Sequence, residues 1–163
     1  MRYPGFKIYE VWADALLLPP ESAAWEAALH MYVHCFDGVR IMSKFEEFEK
    51  HPDRYQRNTI EKARVAKNLN LEVMLCLDWH NTAGSASGYH EYRYIPNNLK
   101  TQVAAIIRDV KPDIVQVANE PYYIKKGKRL NLAEYAYYVY EYVKGMKAAG
   151  FKGLMVAEQS SDD

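Results

Sequence analysis

The stretch 113–121, Asp-Ile-Val-Gln-Val-Ala-Asn-Glu-Pro, sets an amide and a carboxylate at the end of a short apolar run rich in β-branched residues. Such a run reads as a β-strand, and the proline stops it. In parallel α/β proteins ligands and chemistry gather at the carboxyl ends of the strands, so Asn119 and Glu120 fall on the functional rim. A glutamate there suits proton transfer as a general acid or base, which makes Glu120 the first catalytic candidate. A second apolar run, 71–77, leads in the same way into Asp78-Trp79-His80.

Positioning these groups requires a frame, and the chain supplies alternating strand and helix signals along its length. A first strand is expected over 6–13, then a helix over 21–35 after Pro19-Pro20, with Ala24, Ala28, Met31 and Cys35 at helical spacing. The second unit is a strand at 39–42, a loop or short helix at 44–50, and a helix over 54–69. Asp53 is the expected N-cap of that helix, and Asn70 its left-handed end. The third unit is the strand at 71–77 followed by a long loop, 81–96, carrying Tyr89, Tyr92 and Tyr94; loops of this length in a compact domain are usually functional or disordered. A third helix covers 97–110. After the 113–121 strand a fourth helix opens at Asn131 in a capping-box pattern with Glu134 and closes at Gly150. Its tyrosines (135, 137, 138, 140 and 142) lie on more than one face, as core packing plus an outer contact surface requires. A fifth strand is expected at 153–158. The whole, 1–163, reads as one α/β domain with about five parallel strands and four helices.

Composition narrows the partners. With 163 residues, 21 basic and 21 acidic, the charge is balanced, so nothing global favours nucleic acid or an anionic membrane, and a neutral substrate is expected. Cys35 and Cys76 make no disulfide framework and are both expected free. No apolar run approaches the ~20 residues of a membrane span, and the amino terminus lacks the apolar core of a signal peptide. The chain is expected to be soluble, and extracellular only if it is a mature or truncated product whose export signal has been removed.

Three motifs together carry a family resemblance. Leu-Cys-Leu-Asp-Trp-His at 75–80, Val-Ala-Asn-Glu-Pro at 117–121, and Val39-Arg40-Ile41 upstream resemble clan A glycoside hydrolases, most closely the family 5 endoglucanases and mannanases. That resemblance implies a TIM-type β/α barrel with an arginine near the end of its second strand, an Asp-Trp-His run on its third and Asn-Glu-Pro on its fourth. It implies retaining hydrolysis of a β-linked polysaccharide, a β-glucan or mannan, with no cofactor. Glu120 would be the general acid/base, protonating the leaving oxygen and later activating water, and Asn119 would hydrogen-bond the sugar 2-hydroxyl as the oxocarbenium-like transition state forms. His80 and Arg40 would lie beneath the sugar, orienting it and holding the ionisation of the carboxylates.

The same resemblance implies eight β/α units and typically ~250 residues, of which this sequence supplies five units, a partial barrel. The family's nucleophile belongs to the seventh strand. A retaining enzyme needs two carboxyl groups only ~5 to 5.5 Å apart, so the nucleophile is expected from a partner chain, from a missing carboxy-terminal part, or from a non-family solution such as Glu158 or Asp78. An open barrel leaves strand edges that favour a homo-oligomer. The competing expectation is a non-catalytic carbohydrate-binding or interaction protein, derived from a glycosidase, that uses the aromatics Trp79, Tyr122 and Tyr123.

Blander readings stand beside these. Asn-Glu-Pro serves equally as turn chemistry, Arg40 as half of a buried ion pair and His80 as a hydrogen-bonded core histidine. His30 and His34 have the spacing of a helical metal pair but no third ligand, so no metal is expected. The basic run 125–129 reads as a solvated loop. An open flavodoxin-like sheet is the alternative fold, although no Gly-rich phosphate loop is present.

Overall fold

Strands and helices alternate in the computed structural model, which describes residues 7–10, 23–79, 94–117 and 132–157. The elements are β1 (Tyr9–Glu10), α1 (Ala23–Cys35), β2 (Gly38–Lys44), α2 (Phe45–Lys50) and α3 (residues 52–68), then β3 (Glu72–Asp78), α4 (Leu99–Val110), β4 (Ile114–Val117), α5 (Leu132–Ala148) and β5 (Leu154–Ala157). The full strands β2 to β5 form an all-parallel sheet, which the two-residue β1 extends at one edge. Neighbours follow chain order, β1-β2-β3-β4-β5. A flavodoxin-like sheet would run 2-1-3-4-5, so that alternative is overturned.

Among the described residues five helices are present, where four were expected with 44–50 as a loop or short helix. Phe45–Lys50 is helical because Phe45, 0 % exposed, and Phe48 one turn later share a face that packs on the core. A second correction concerns α3, which starts at Pro52, so that Asp53 sits in its first turn and does not cap it. Proline fits this first position because its fixed φ is already helical and its missing N–H would have been an orphan. The middle of α3, Gln56–Glu61, is a π-helical turn that buries Thr59.

Helix ends follow the expected chemistry at two places, Asn70 (φ 58°) and Gly150 (φ 73°), both left-handed. A third, Lys111 (φ 51°), ends α4 in the same conformation without being glycine or asparagine. That end is held from outside, since Lys67 Nζ donates to the carbonyls of Val110 at 2.5 Å and Lys111 at 2.7 Å.

Alternation along the strands separates two faces. Val39, Ile41, Val73, Leu75, Leu77, Val115 and Val117, each at most 1 % exposed, form the face that packs into the main hydrophobic core with residues of α3, α4 and α5. Each such side chain contributes roughly 1.5–3 kcal/mol by leaving water. Tyr142 fills the centre: its ring meets Phe45 and Trp79 edge-on, and its hydroxyl donates to the Leu77 carbonyl at 2.9 Å. Burial raises its phenol pKa well above the ordinary value. α5 meets α4 at Gly145, where a Cβ would stand 2.6 Å from Val103 Cβ and 2.7 Å from the Lys100 carbonyl oxygen, so only glycine allows this approach. The tyrosines of α5 divide as their spacing predicts, Tyr135 and Tyr142 buried and Tyr137 and Tyr140 exposed.

β1 is held to the sheet by more than its ladder. Lys7 Nζ and the Tyr9 hydroxyl both donate to the Glu72 carboxylate on β3, and the Tyr9 ring passes over Gly38 on the intervening β2, where any side chain would collide with it.

Candidate functional site

The opposite face of the sheet carries the polar groups. Arg40, Met42 and Lys44 of β2 alternate onto it, with Met74, Cys76 and Asp78 of β3 and Ile114 and Gln116 of β4. In register, Arg40 is level with Met74 and Ile114, Met42 with Cys76 and Gln116, and Lys44 with Asp78 at the carboxyl end.

Of the site residues expected from the sequence, Arg40 and Asp78 lie on this face within the described structure. Arg40 is half-buried, its Nε donates to Gln116 Oε1 at 2.7 Å, and a terminal nitrogen approaches Cys76 Sγ at 3.3 Å. Both partners are one step nearer the carboxyl end than Arg40 itself, so the guanidinium leans toward that rim across two neighbouring strands. The expectation that β2 ends near Arg40 is corrected, because the strand continues to Lys44. Four residues of extended chain put the end of β2 about 13 Å beyond Arg40.

Gln116 was not singled out from the sequence. Its signal was there: a lone polar residue in Ile-Val-Gln-Val, all four positions of which are buried. A buried amide needs a partner, and the arginine on the same sheet face two strands away is that partner. Cys76 was expected as a small buried hydrophobe and is fully buried and free of disulfide, yet it also receives the Arg40 guanidinium.

Asp78 closes β3 at 0 % exposure, level with Lys44 on β2. That sets an acidic side chain at the carboxyl end of a parallel strand, where sites gather. Trp79, the next residue, belongs to the other face. It is 0 % exposed and packs edge-on against Tyr138 (5.6 Å between centroids) and Tyr142 (6.4 Å) of α5. No ring face is open to a sugar, and its expected substrate-stacking role is corrected to a core role. Period-two alternation is the reason, since Trp79 follows Val73, Leu75 and Leu77 into the core.

Glu120, Asn119, His80, Tyr122 and Glu158 lie outside the described residues, as do Tyr123 and the basic run 125–129. Their places in the chain are nonetheless bracketed: β4 is described to Val117, two positions before Asn119; β3 to Asp78, two before His80; β5 to Ala157, immediately before Glu158.

A cavity of about 450 Å³ opens at the other end of the sheet, lined by Arg108, Lys111, Asp113, Phe151, Lys152 and neighbours. It lies at the amino ends of β4 and β5, where α4 and α5 finish. One of its cations, Arg108, serves a helix end by donating to the Ala148 carbonyl at 2.6 Å. The rings of His30 and His34 of α1 lie 4.5 Å apart between centroids, tilted by 55°, and no metal-binding cluster of His, Cys, Asp and Glu occurs among the described residues.

No protein-family model matches the chain, and a search of curated proteins finds no match. Among the described residues, no helix is long and apolar enough to cross a membrane.

Proposed function

We propose that this chain is part of a retaining glycoside hydrolase of clan A type, a partial β/α barrel acting on a β-linked polysaccharide. In this reading Glu120 is the general acid/base, Asn119 binds the sugar 2-hydroxyl, His80 orients the substrate, and the nucleophilic carboxylate comes from a partner chain or from residues beyond these 163. No cofactor takes part. The observation that carries the reading is the sequential parallel order of the sheet. That order sets the described ends of β3 and β4 side by side, Leu77 level with Val117, and in the sequence the Asp-Trp-His and Asn-Glu-Pro motifs come at or just after those ends.

Support comes also from the inward face. A permanent cation held beneath the rim by Gln116 and Cys76 favours the ionised form of a carboxylate above it, the state a nucleophile requires. The non-catalytic binding alternative is weakened, because Trp79, one of its three aromatics, is buried.

The test is reducing-sugar release from soluble β-glucans, mannans and xylans by the wild-type chain and by Glu120→Gln at matched concentration. Turnover by the wild type that is lost in the variant supports the assignment. Equal turnover by both would remove Glu120 from the chemistry, and glycan affinity without turnover would favour the binding alternative.

A further inference from the structure

The cavity at the amino ends of β4 and β5 measures about 450 Å³, within the roughly 300–1,000 Å³ of small-molecule sites. Its lining divides by chemistry. Ile107 and Pro112 are buried and Phe151 half-buried, whereas Arg108, Lys111 and Lys152 are exposed. The Phe151 ring lies against Gly153, where any side chain would collide with it and with the Asp113 carbonyl. An apolar wall thus stands beside three cations.

Cations are expected where helices finish, because the last carbonyls carry partial negative charge. Here that need is already met. Lys67 Nζ bonds the carbonyls of Val110 and Lys111 at the end of α4, and Arg108 bonds the Ala148 carbonyl at the end of α5. The nearby acids are engaged as well: Asp113 Oδ2 accepts the Val73 N–H at 2.8 Å, and Asp109 Oδ2 accepts the Tyr55 hydroxyl at 3.2 Å. Among the described residues Lys111 and Lys152 pair with no acid. Two positive charges therefore flank one concavity, in a chain whose total charge is zero.

We propose that this cavity binds a small organic phosphate monoester, with the dianion between Lys111 and Lys152 and an aromatic or other apolar body against Phe151, Ile107 and Pro112. Charge sets the class. A phosphate monoester carries about −1.5 to −2 at pH 7, which matches two lysines, and lysine binds phosphate as a point charge without the fixed fork of arginine. The site lies at the opposite end of the sheet from the carboxyl ends of the strands, so it stands apart from the glycosidase reading.

The experiment titrates phenyl phosphate, inorganic phosphate and benzoate into the wild-type chain, Lys111→Asn, Lys152→Gln and the double variant. Binding is followed by the amide NMR signals of Gly150, Lys152 and Gly153, and thermal unfolding reports on the fold. Asparagine is used at 111 because it tolerates the left-handed backbone there. Phenyl phosphate is expected to saturate those signals with a dissociation constant of about 1 mM, the scale for a ligand of its size. It should bind roughly fivefold more tightly than inorganic phosphate, which lacks the ring, or benzoate, which lacks the second charge. Each single variant weakens it by about threefold to tenfold, the loss of one charge-assisted contact, and high salt weakens it in the wild type. The absence of saturable shifts at these amides overturns the proposal, as does equal affinity in a double variant with an intact unfolding midpoint. Inorganic phosphate or benzoate binding as tightly as phenyl phosphate also overturns it, because the cavity would then be a general cationic patch. Should the variants unfold early, the ranking of the three ligands on the wild type decides alone.

Discussion

Arg40 and Tyr142 show how a single side chain acquires its role from the face it lands on. Both are polar groups drawn out of water, but Tyr142 sits in the apolar core with one bond to the Leu77 carbonyl, whereas Arg40 lies on the polar face between Gln116 and Cys76. Removing the Tyr142 hydroxyl leaves that carbonyl short of a partner and nothing else changed. Tyr142→Phe is therefore expected to lower stability by about 1–2 kcal/mol, read as a shifted urea midpoint with an unaltered slope. The pairing of Arg40 with Gln116 makes the two substitutions non-additive: a double-mutant cycle of Arg40→Met and Gln116→Leu should show coupling of roughly 0.5–3 kcal/mol in unfolding free energy. Strict additivity would mean that the bond does not persist in solution.

At the scale of elements, one glycine and one carboxylate hold neighbours in place. Gly145 lets α5 approach α4, and alanine there sets two effects against each other. A helical Gly→Ala exchange gains roughly 0.5–1 kcal/mol from backbone entropy, while overpacking costs typically 1–3 kcal/mol. Because one obstacle is the Lys100 backbone carbonyl, which cannot swing aside, overpacking wins and Gly145→Ala should destabilise, visible as a lower thermal midpoint. Glu72 fastens β1, and its carboxyl pKa is held below the ordinary value of 4.5 by hydrogen bonds from Lys7 and Tyr9. A group whose pKa is depressed on folding contributes stability above its unfolded value and loses it as pH falls through its folded value. Attachment of β1 is accordingly complete at neutral pH and weakens only in acid, below about 4.5. Protection of the amides at residues 8–10 against exchange, relative to the intrinsic rate at each pH, should fall over that range, and Glu72→Gln should abolish most of this pH dependence.

For the molecule as a whole, the unusual feature is β5. All of its residues are exposed, with Leu154 at 61 %, Met155 at 38 % and Val156 at 36 %, whereas β4 beside it is entirely buried. The strand has none of the lysines, prolines or inward charges that blunt a sheet edge. Sedimentation of the 163-residue chain should therefore show concentration-dependent self-association, and Val156→Lys should reduce it without disturbing the fold. A monomer at every concentration, in wild type and variant alike, would show that the edge does not pair.

Local patterns determined the elements of this protein. Period-two runs in β2, β3 and β4, helical spacing in α1 and α4, and the left-handed residues Asn70 and Gly150 are properties of short stretches, so they were legible from the sequence. So was the division of the α5 tyrosines between core and surface. The strands that lead into the Asp-Trp-His and Asn-Glu-Pro stretches were legible for the same reason. What the sequence could not state is which face each residue of a motif meets, and against what. Trp79 and Asp78 are adjacent, yet one is locked into the helix-covered core and the other turns to the polar face beside Lys44 in register. The bond from Arg40 to Gln116 crosses 76 positions of sequence, and that from Tyr94 to Glu49 crosses 45. Such pairs exist only after the strands have taken their order and register, so tertiary structure alone decided them.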